Sequence, residues 1–293
     1  SSFLSLAMSS QCLVCQKSLP LRKCRWNMEL FLGKPIRELL KERIQEELRY
    51  HPISFYLYSE KEREDCQSYL RSIKKMLDSF QVPYREDYYS HEKSLEENLD
   101  NFVTNSKESF VLLARPMIHE EHFIQKIPAR FDPDMLTIEN MGKLASADIS
   151  YLPATARSVK EILEYYQVEL EGKNAVVIGR SLSVGFPCAQ YLLKRNANVT
   201  ILHSHTPKDK LDAFVKAADI LVLASGKIGL IDPKLLDENK VIIDCGFIKG
   251  SGDLGFTPEE GSLKAYTPVP GGVGSLTSYC LLLNAIQLAK KER

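Results

Sequence analysis

An apolar, β-branched run, Ala175 to Ile178, ends in Gly179, and Arg180, Ser181, Gly185 and Pro187 follow before a helix-like segment, Cys188 to Lys194. A strand, a tight turn and a helix N-terminus in that order aim backbone N–H groups and a helix dipole at a phosphate. The dinucleotide fingerprint G-x-G-x-x-G wants a glycine where Ser181 stands, so the turn by itself also reads as an ordinary strand-to-helix connection. Three later stretches favour the phosphate reading. Asp219 to Ser225-Gly226 is a strand ending in small residues, which would let a flat ligand lie across its C-terminal end. Ile243-Asp244-Cys245-Gly246-Phe247 repeats the pattern, and Thr267-Pro268-Val269-Pro270-Gly271-Gly272-Val273-Gly274 is a stiff arm followed by glycines that permit close approach or positive φ.

Charge near this turn discriminates between two ligands. A site for NAD usually carries an acid after its second strand, to bind the ribose 2′-hydroxyl. Here the second strand, Asn198 to Leu202, runs into His203-Ser204, with no acid before Asp209. Arg180 could pair its guanidinium with a 2′-phosphate. The balance favours NADP over NAD; a surface ion pair is the alternative role for Arg180.

These groups need a scaffold, and the rest of the chain supplies one. From Met28, apolar residues Ile36, Leu39, Leu40, Ile44 and Leu48 recur at helical spacing. Ile53–Tyr58 reads as a strand, Asp65–Phe80 as an amphipathic helix, Tyr84–Tyr88 as a strand, Leu95–Thr104 as a helix and Ser109–Ala114 as a buried strand. Alternation of this kind predicts a first α/β unit with a parallel sheet. A bridging helix, Thr155–Tyr166, leads to the strands Ala175–Ile178, Asn198–Leu202, Ile220–Ala224 and Val241–Ile243, which describe a doubly wound sheet, and Leu276–Lys291 closes the chain as a helix. The predicted fold class is α/β with two α/β domains, the second a Rossmann-type unit, and an active-site cleft between them. The expected boundaries are an extension at 1–27, a first domain at 28–156 completed by 278–293, and a nucleotide-binding domain at 157–277.

Bulk composition removes other classes. The 293 residues carry 38 Lys+Arg and 38 Asp+Glu, no surplus for binding nucleic acid. No apolar run approaches the length of a membrane span. Seven scattered cysteines suit a reducing compartment, the cytoplasm, better than a disulfide framework. Cys12, Cys15 and Cys24 lack a fourth ligand at usable spacing for zinc, and His119-Glu120-Glu121-His122 lacks the H-E-x-x-H spacing, so no metal is expected.

The motifs taken together, Gly179-Arg180-Ser181 with Val184-Gly185 and Pro187, His203-Ser204-His205-Thr206, Ala218-Asp219-Ile220, Ile243 to Gly246 and Thr267 to Gly274, closely resemble the methylenetetrahydrofolate dehydrogenase/methenyltetrahydrofolate cyclohydrolase family. The first half resembles it more loosely. Asp134, Leu136-Thr137 and Asn140 to Leu144 look like that family's folate-contacting aspartate segment, and Ser68 to Lys75 looks like its catalytic helix. The resemblance implies a tetrahydrofolate derivative as substrate, a nicotinamide cofactor beside it, and a homodimer. It implies catalytic and substrate-binding roles for Tyr69 and Asp134, further substrate contacts at Pro270, Gly271 and Gly272, and cofactor contacts at Gly179, Arg180, Ser181, Ser204, Ser225, Gly226, Phe247 and Gly272.

Departures from the family pattern fall on one reaction. The family's catalytic helix reads Tyr-x-x-x-Lys-x-Lys, whereas this chain has Tyr69, Ile73 and Lys75, so isoleucine stands at the lysine position. Lys74 is about 100° round a helix from Ile73 and does not replace it. Ala114-Arg115-Pro116 stands for the family's Gln-Leu-Pro, and Met135 for the glycine of its Asp-Val-Asp-Gly. Dehydrogenation mainly requires two carbons to be held face to face. Hydrolysis of the methenyl product requires a positioned acid–base group. The expectation is therefore NADP-dependent oxidation of 5,10-methylenetetrahydrofolate with the cyclohydrolase step impaired or absent. A degenerate member binding folate or nucleotide without turnover is the rival, and an NADP enzyme sharing only the second domain is a third reading.

Overall fold

The computed structural model describes residues 28–291. The cysteine motif at Cys12, Cys15 and Cys24 and the extension at 1–27 lie outside the described residues. Two parallel sheets organise the chain. The smaller has three strands, β2 (Phe55–Glu60), β3 (Tyr84–Tyr89) and β4 (Phe110–Leu113), in the order β3-β2-β4. The larger has six, β1 (Glu29–Leu30), β5 (Asn174–Ile178), β6 (Asn198–Leu202), β7 (Ile220–Leu223), β8 (Val241–Asp244) and β9 (Ala265–Tyr266), in the order β1-β9-β8-β7-β5-β6. Every strand pair in both sheets is parallel, and β4, β7 and β8 are the wholly buried runs that such sheets carry.

Helices cover these sheets. They are α1 (Gly33–Leu48), α2 (Glu64–Ser79), α3 (Leu95–Asn105), α4 (Glu120–Lys126), α5 (Ile138–Ala145), α6 (Ala154–Tyr165), α7 (Gly185–Lys194), α8 (Lys208–Ala217) and α9 (Thr277–Lys291). The spacing read from the sequence places α1 well: Ile36, Leu40 and Ile44 are buried, whereas Leu39 is exposed. Ser94 caps α3 through a capping box, accepting from the Glu97 N–H while the Glu97 carboxylate takes the Ser94 N–H. Helix α7 begins at Gly185 rather than Cys188, since Pro187 in its first turn needs no hydrogen-bond partner for its nitrogen.

One continuous core runs from Leu57 and Leu112 of the small sheet through Leu70, Ile73 and Leu77 of α2 to Val177 and Ile243 of the large sheet. Helices α1, α6 and α9 pack on one another within it. Buried Asn284 of α9 fixes the join: it accepts from Arg157 Nη1 at 2.7 Å and donates to the carbonyls of Pro133 at 2.9 Å and Leu152 at 3.0 Å. A buried amide with each group partnered is a point of registration, because any other packing would strand it. No helix of the described residues is long and apolar enough to cross a membrane.

Candidate active site

The large sheet reverses its winding between β5 and β7, and ligands of open parallel sheets bind outside the carboxyl ends of the strands at such a point. A cavity of about 710 Å³ lies there. Its walls come from the residues that end β5 (Ile178, Gly179, Arg180, Ser181), follow β6 (His203, Ser204, Thr206, Lys208) and follow β7 (Ala224, Ser225, Lys227). Its size is that of an ordinary small-molecule or cofactor site. Glycine is required at its floor. Gly179 has φ +131°, and a Cβ there would lie 2.0 Å from the Ala224 carbonyl oxygen; one on Gly185 would lie 2.2 Å from the Gly179 carbonyl oxygen. The backbone of the β5–α7 turn thus sits against the end of β7 with no room for a side chain.

Polar groups hold the rim. The Asp253 carboxylate accepts from the backbone N–H of Ser225 at 2.6 Å, that of Gly226 at 3.0 Å and the Ser225 hydroxyl at 2.9 Å, fixing the loop after β7. Ser181 Oγ accepts from the N–H groups of Val184 and Gly185 at the start of α7. Arg180, Lys208 and Lys227 supply positive charge to the walls, with Asp232 the one acid among the lining residues. Lys208, Lys227 and Asp232 carried no signal in the sequence, since they lie on long loops or helix starts whose direction no periodicity gives. Gly226 and Phe247 are not among the lining residues, and Phe247 is 69% exposed.

A second cavity, of about 220 Å³, opens at the carboxyl end of the small sheet, between the two sheets. It is lined by Tyr69, Leu113, Arg115, Asp134, Pro153 to Thr155, Ser183 and Thr277. Ser183 belongs to the same β5–α7 loop whose Gly179, Arg180 and Ser181 line the first cavity, so one short turn borders both. Tyr69 and Asp134, paired by sequence, meet here. Arg115, Ser183 and Thr277 join them without having been anticipated. Pro270, Gly271 and Gly272 are not among the lining residues of either cavity: the Gly271 carbonyl accepts from the Gly33 N–H at 2.8 Å, and the arm packs on the start of α1.

The turn carrying Asp134 is over-determined by its neighbours. Buried Asp132 accepts from the Thr137 N–H at 2.8 Å and from Asn140 Nδ2 at 3.1 Å, and Asn284 holds the carbonyl of Pro133. Met135 next to it has φ +57°, the left-handed conformation glycine adopts freely. A side chain there costs about 1–2 kcal/mol. Met135 is also fully buried, which contributes about 1.5–3 kcal/mol, so packing is the larger effect and the turn is kept.

Burial pushes the Asp134 carboxyl up to about 6, with Arg115 opposing and Asp132 reinforcing the shift. Burial likewise raises the Tyr69 hydroxyl far above its ordinary range, with Asp134 adding to the rise and Arg115 opposing it, so it is a neutral donor. Ile73, one helical turn beyond Tyr69 on α2, is fully buried in the core. Lys74 is taken by Glu86 of β3 at 2.9 Å, and Lys75 is exposed. Among the lining residues of this cavity Arg115 is the one cation. His119, Glu121 and His122 bring ligand atoms within 4.8 Å of one another on and beside α4, but all three are exposed and none lines this cavity.

Comparison with known proteins accounts for this arrangement. Residues 153–293 match the family model of the tetrahydrofolate dehydrogenase/cyclohydrolase NAD(P)-binding domain. The bifunctional protein FolD of Dictyoglomus turgidum is 32% identical over 274 residues, spanning 88% of this chain and 97% of that protein. The crystal structure of the bifunctional FolD of Campylobacter jejuni superposes with a TM-score of 0.83 at 25% identity, covering 91% of this chain and 100% of the other. The dehydrogenase-cyclohydrolase of Trypanosoma brucei, solved with NADP cofactor and an inhibitor, does so with a TM-score of 0.82 at 26% identity, covering 91% and 98%. Matched along nearly its whole described length, with a glycine-floored crevice and a carboxylate-bearing cleft in one fold, the chain belongs to the tetrahydrofolate dehydrogenase/cyclohydrolase family.

Proposed function

We propose that this protein oxidises 5,10-methylenetetrahydrofolate to 5,10-methenyltetrahydrofolate with NADP, in one-carbon metabolism, and that hydrolysis of the methenyl product is impaired or absent. The observation that carries this reading is the single β5–α7 turn bordering both the nucleotide-sized crevice and the Asp134–Tyr69 cleft, so that two ligands bound there are brought edge to edge. A solved relative named as a bifunctional methylenetetrahydrofolate dehydrogenase/cyclohydrolase, and another solved with NADP, support it.

The residues fit the cofactor. The floor at Gly179 and Gly185 leaves only backbone at the turn, as a pyrophosphate requires. Arg180 would face the 2′-phosphate, with Ser204, Thr206 and Lys208 beyond β6 completing that wall. When bound, the nicotinamide supplies the acceptor for the hydride leaving the folate methylene carbon. In the cleft, the Asp134 carboxylate accepts hydrogen bonds from the amino edge of the pterin, and neutral Tyr69 packs on or donates to the folate. The fixed turn at Asp132–Met135 and the amide of Asn284 spare the reaction the entropy of placing Asp134.

The same reading assigns 28–156, completed by 278–293, to the folate side and 157–277 to the cofactor. Packing of α9 on α1 and α2 supports it. A homodimer is part of the proposal: β6 is an open sheet edge, Ile201 on it is exposed, and so is Leu193 on α7, apolar side chains that a second copy would cover. Free cysteines at 188, 245 and 280 suit a reducing compartment such as the cytoplasm.

Two measurements test the reading. Purified protein with methylenetetrahydrofolate and NADP should show the rising near-ultraviolet absorbance of reduced nicotinamide, faster than with NAD. No rise with either cofactor would overturn it in favour of a binding-only member. Arg180→Gln should raise the NADP Michaelis constant roughly tenfold to a hundredfold, the worth of a charge-assisted hydrogen bond, while leaving that for NAD nearly unchanged. An equal effect on both would remove Arg180 from the 2′-phosphate.

A further inference from the structure

The cleft holds a charge arrangement that the Tyr69–Asp134 pair alone does not explain. Asp134 lines a small cavity where burial disfavours its charged form, and a second carboxylate, Asp132, lies two residues away in the same turn. The elements around it supply one charge between them: Tyr69 of α2, Leu113 of β4, Pro153 to Thr155 at the start of α6, Ser183 of the β5–α7 turn and Thr277 of α9 are all uncharged, and the segment after β4 brings the guanidinium of Arg115. The lysines of α2 contribute nothing here, because Lys74 is bound to Glu86 and Lys75 is exposed. Ile73 is sealed in the core. Arg115 is therefore the sole cation among the residues lining this cavity. No ion pair of Arg115 with Asp134 is formed directly; the two act across the cavity they share.

We propose that Arg115 is a positioning residue of the substrate cleft, its guanidinium supplying the fixed positive charge against which the Asp134 carboxylate receives the amino edge of the pterin. The inference rests on the folate reading given above and adds a residue to it. A guanidinium suits the task. It keeps its charge at any working pH and does not give up a proton there, so it can support a carboxylate without becoming an acid or base. It thus restores the cleft's positive charge without restoring chemistry on water. The surroundings agree: burial and Asp132 push the Asp134 carboxyl up, and Arg115 is the group holding it down.

The consequence is a pH dependence of known sign. Asp134 is raised above its ordinary value, so the carboxylate is present above about 6 and is lost as pH falls through that point. Removing the opposing charge moves the loss to higher pH. Opposite charges at close range lower a carboxyl by about one to three units, and an interaction across a cavity belongs at the low end, about one unit.

Carbon-13 NMR of protein labelled at the aspartate carboxyls, with Asp134→Asn to identify the signal, reads this directly. The Asp134 carboxyl should titrate at about 6 in the parent protein. It should titrate roughly one unit higher in Arg115→Met and return in Arg115→Lys. Tetrahydrofolate affinity of Arg115→Met should then be roughly fivefold below the parent at about pH 6 and equal to it at about pH 8.5. Circular dichroism that matches the parent's excludes misfolding of the variant. A titration unmoved by Arg115→Met, or an affinity loss equal at both pH values, overturns the proposal. A parent protein that binds no tetrahydrofolate while its carboxyl titration still moves would overturn the folate reading and the positioning role with it, leaving only the charge support of Asp134 by Arg115.

Discussion

Methenyltetrahydrofolate mixed with the purified protein is expected to hydrolyse at about the buffer rate, a shortfall on the order of 10²–10⁴ against a site with a positioned acid–base group. The residues around the cleft offer no such group. Ile73 replaces an ammonium with a hydrocarbon, Ala114 replaces an amide, and neither lysine of α2 lines the cavity. Tyr69 holds its proton well beyond neutral pH, so it can donate a hydrogen bond but not accept a proton from water. Asp134 titrates at about 6, in range for a base, yet its oxygens are committed to the pterin edge in the proposed complex. Ile73→Lys is not expected to restore the step. The position is 0% exposed, and an unpaired buried charge costs about 3–5 kcal/mol, so the variant should lose stability before it gains activity. Hydrolysis well above buffer in the parent protein would contradict this reading.

Gly179→Ala is expected to lower NADP affinity by at least about a hundredfold and stability by several kcal/mol, the class of effect reserved for steric conflict in a core. The reason is geometric. Strands β5 and β7 are neighbours, with the Ala224 N–H donating to the Ile178 carbonyl at 2.8 Å, and a methyl on Gly179 would lie 2.0 Å from the Ala224 carbonyl oxygen. Relief requires the ends of the two strands to part at the point where the cofactor lies. The φ of +131° adds strain of about 1–3 kcal/mol that no L-residue avoids. Gly226→Ala is the control. Its φ is +64°, with nothing within 4 Å of the added methyl, so the cost should be about 1 kcal/mol. Thermal melting and NADP titration of both variants measure the contrast. Equal behaviour of the two would remove close backbone approach as the reason for Gly179.

These expectations trace back to different depths in the sequence. The long amphipathic helices and apolar strands are legible because their period repeats: Leu70, Ile73 and Leu77 face the core of α2 as their spacing says. Strands β1 and β9 are two residues each, too short for any period, and the pairing of Glu29 with Ala265 joins segments far apart in the chain. Helix α4 (7 residues) and α5 (8 residues) are short too, and α5 leaves Ile138 82% exposed, which hides its apolar face. Glycine spacing locates the nucleotide turn because each glycine answers a local steric demand. Arg115 and Thr277 were not legible as cleft residues, since their convergence on Asp134 depends on how α9 and the segment after β4 meet in space. Likewise Met135 reads as a lost glycine, and only the buried side chain explains why the left-handed turn survives the change.

The most direct test follows the hydrogen itself. Methylenetetrahydrofolate deuterated at its one-carbon unit, incubated with the protein and NADP, should yield reduced cofactor carrying deuterium, detected by mass spectrometry, with methenyltetrahydrofolate accumulating one for one. Unlabelled cofactor after prolonged incubation, with the folate bound but unchanged, would contradict the account.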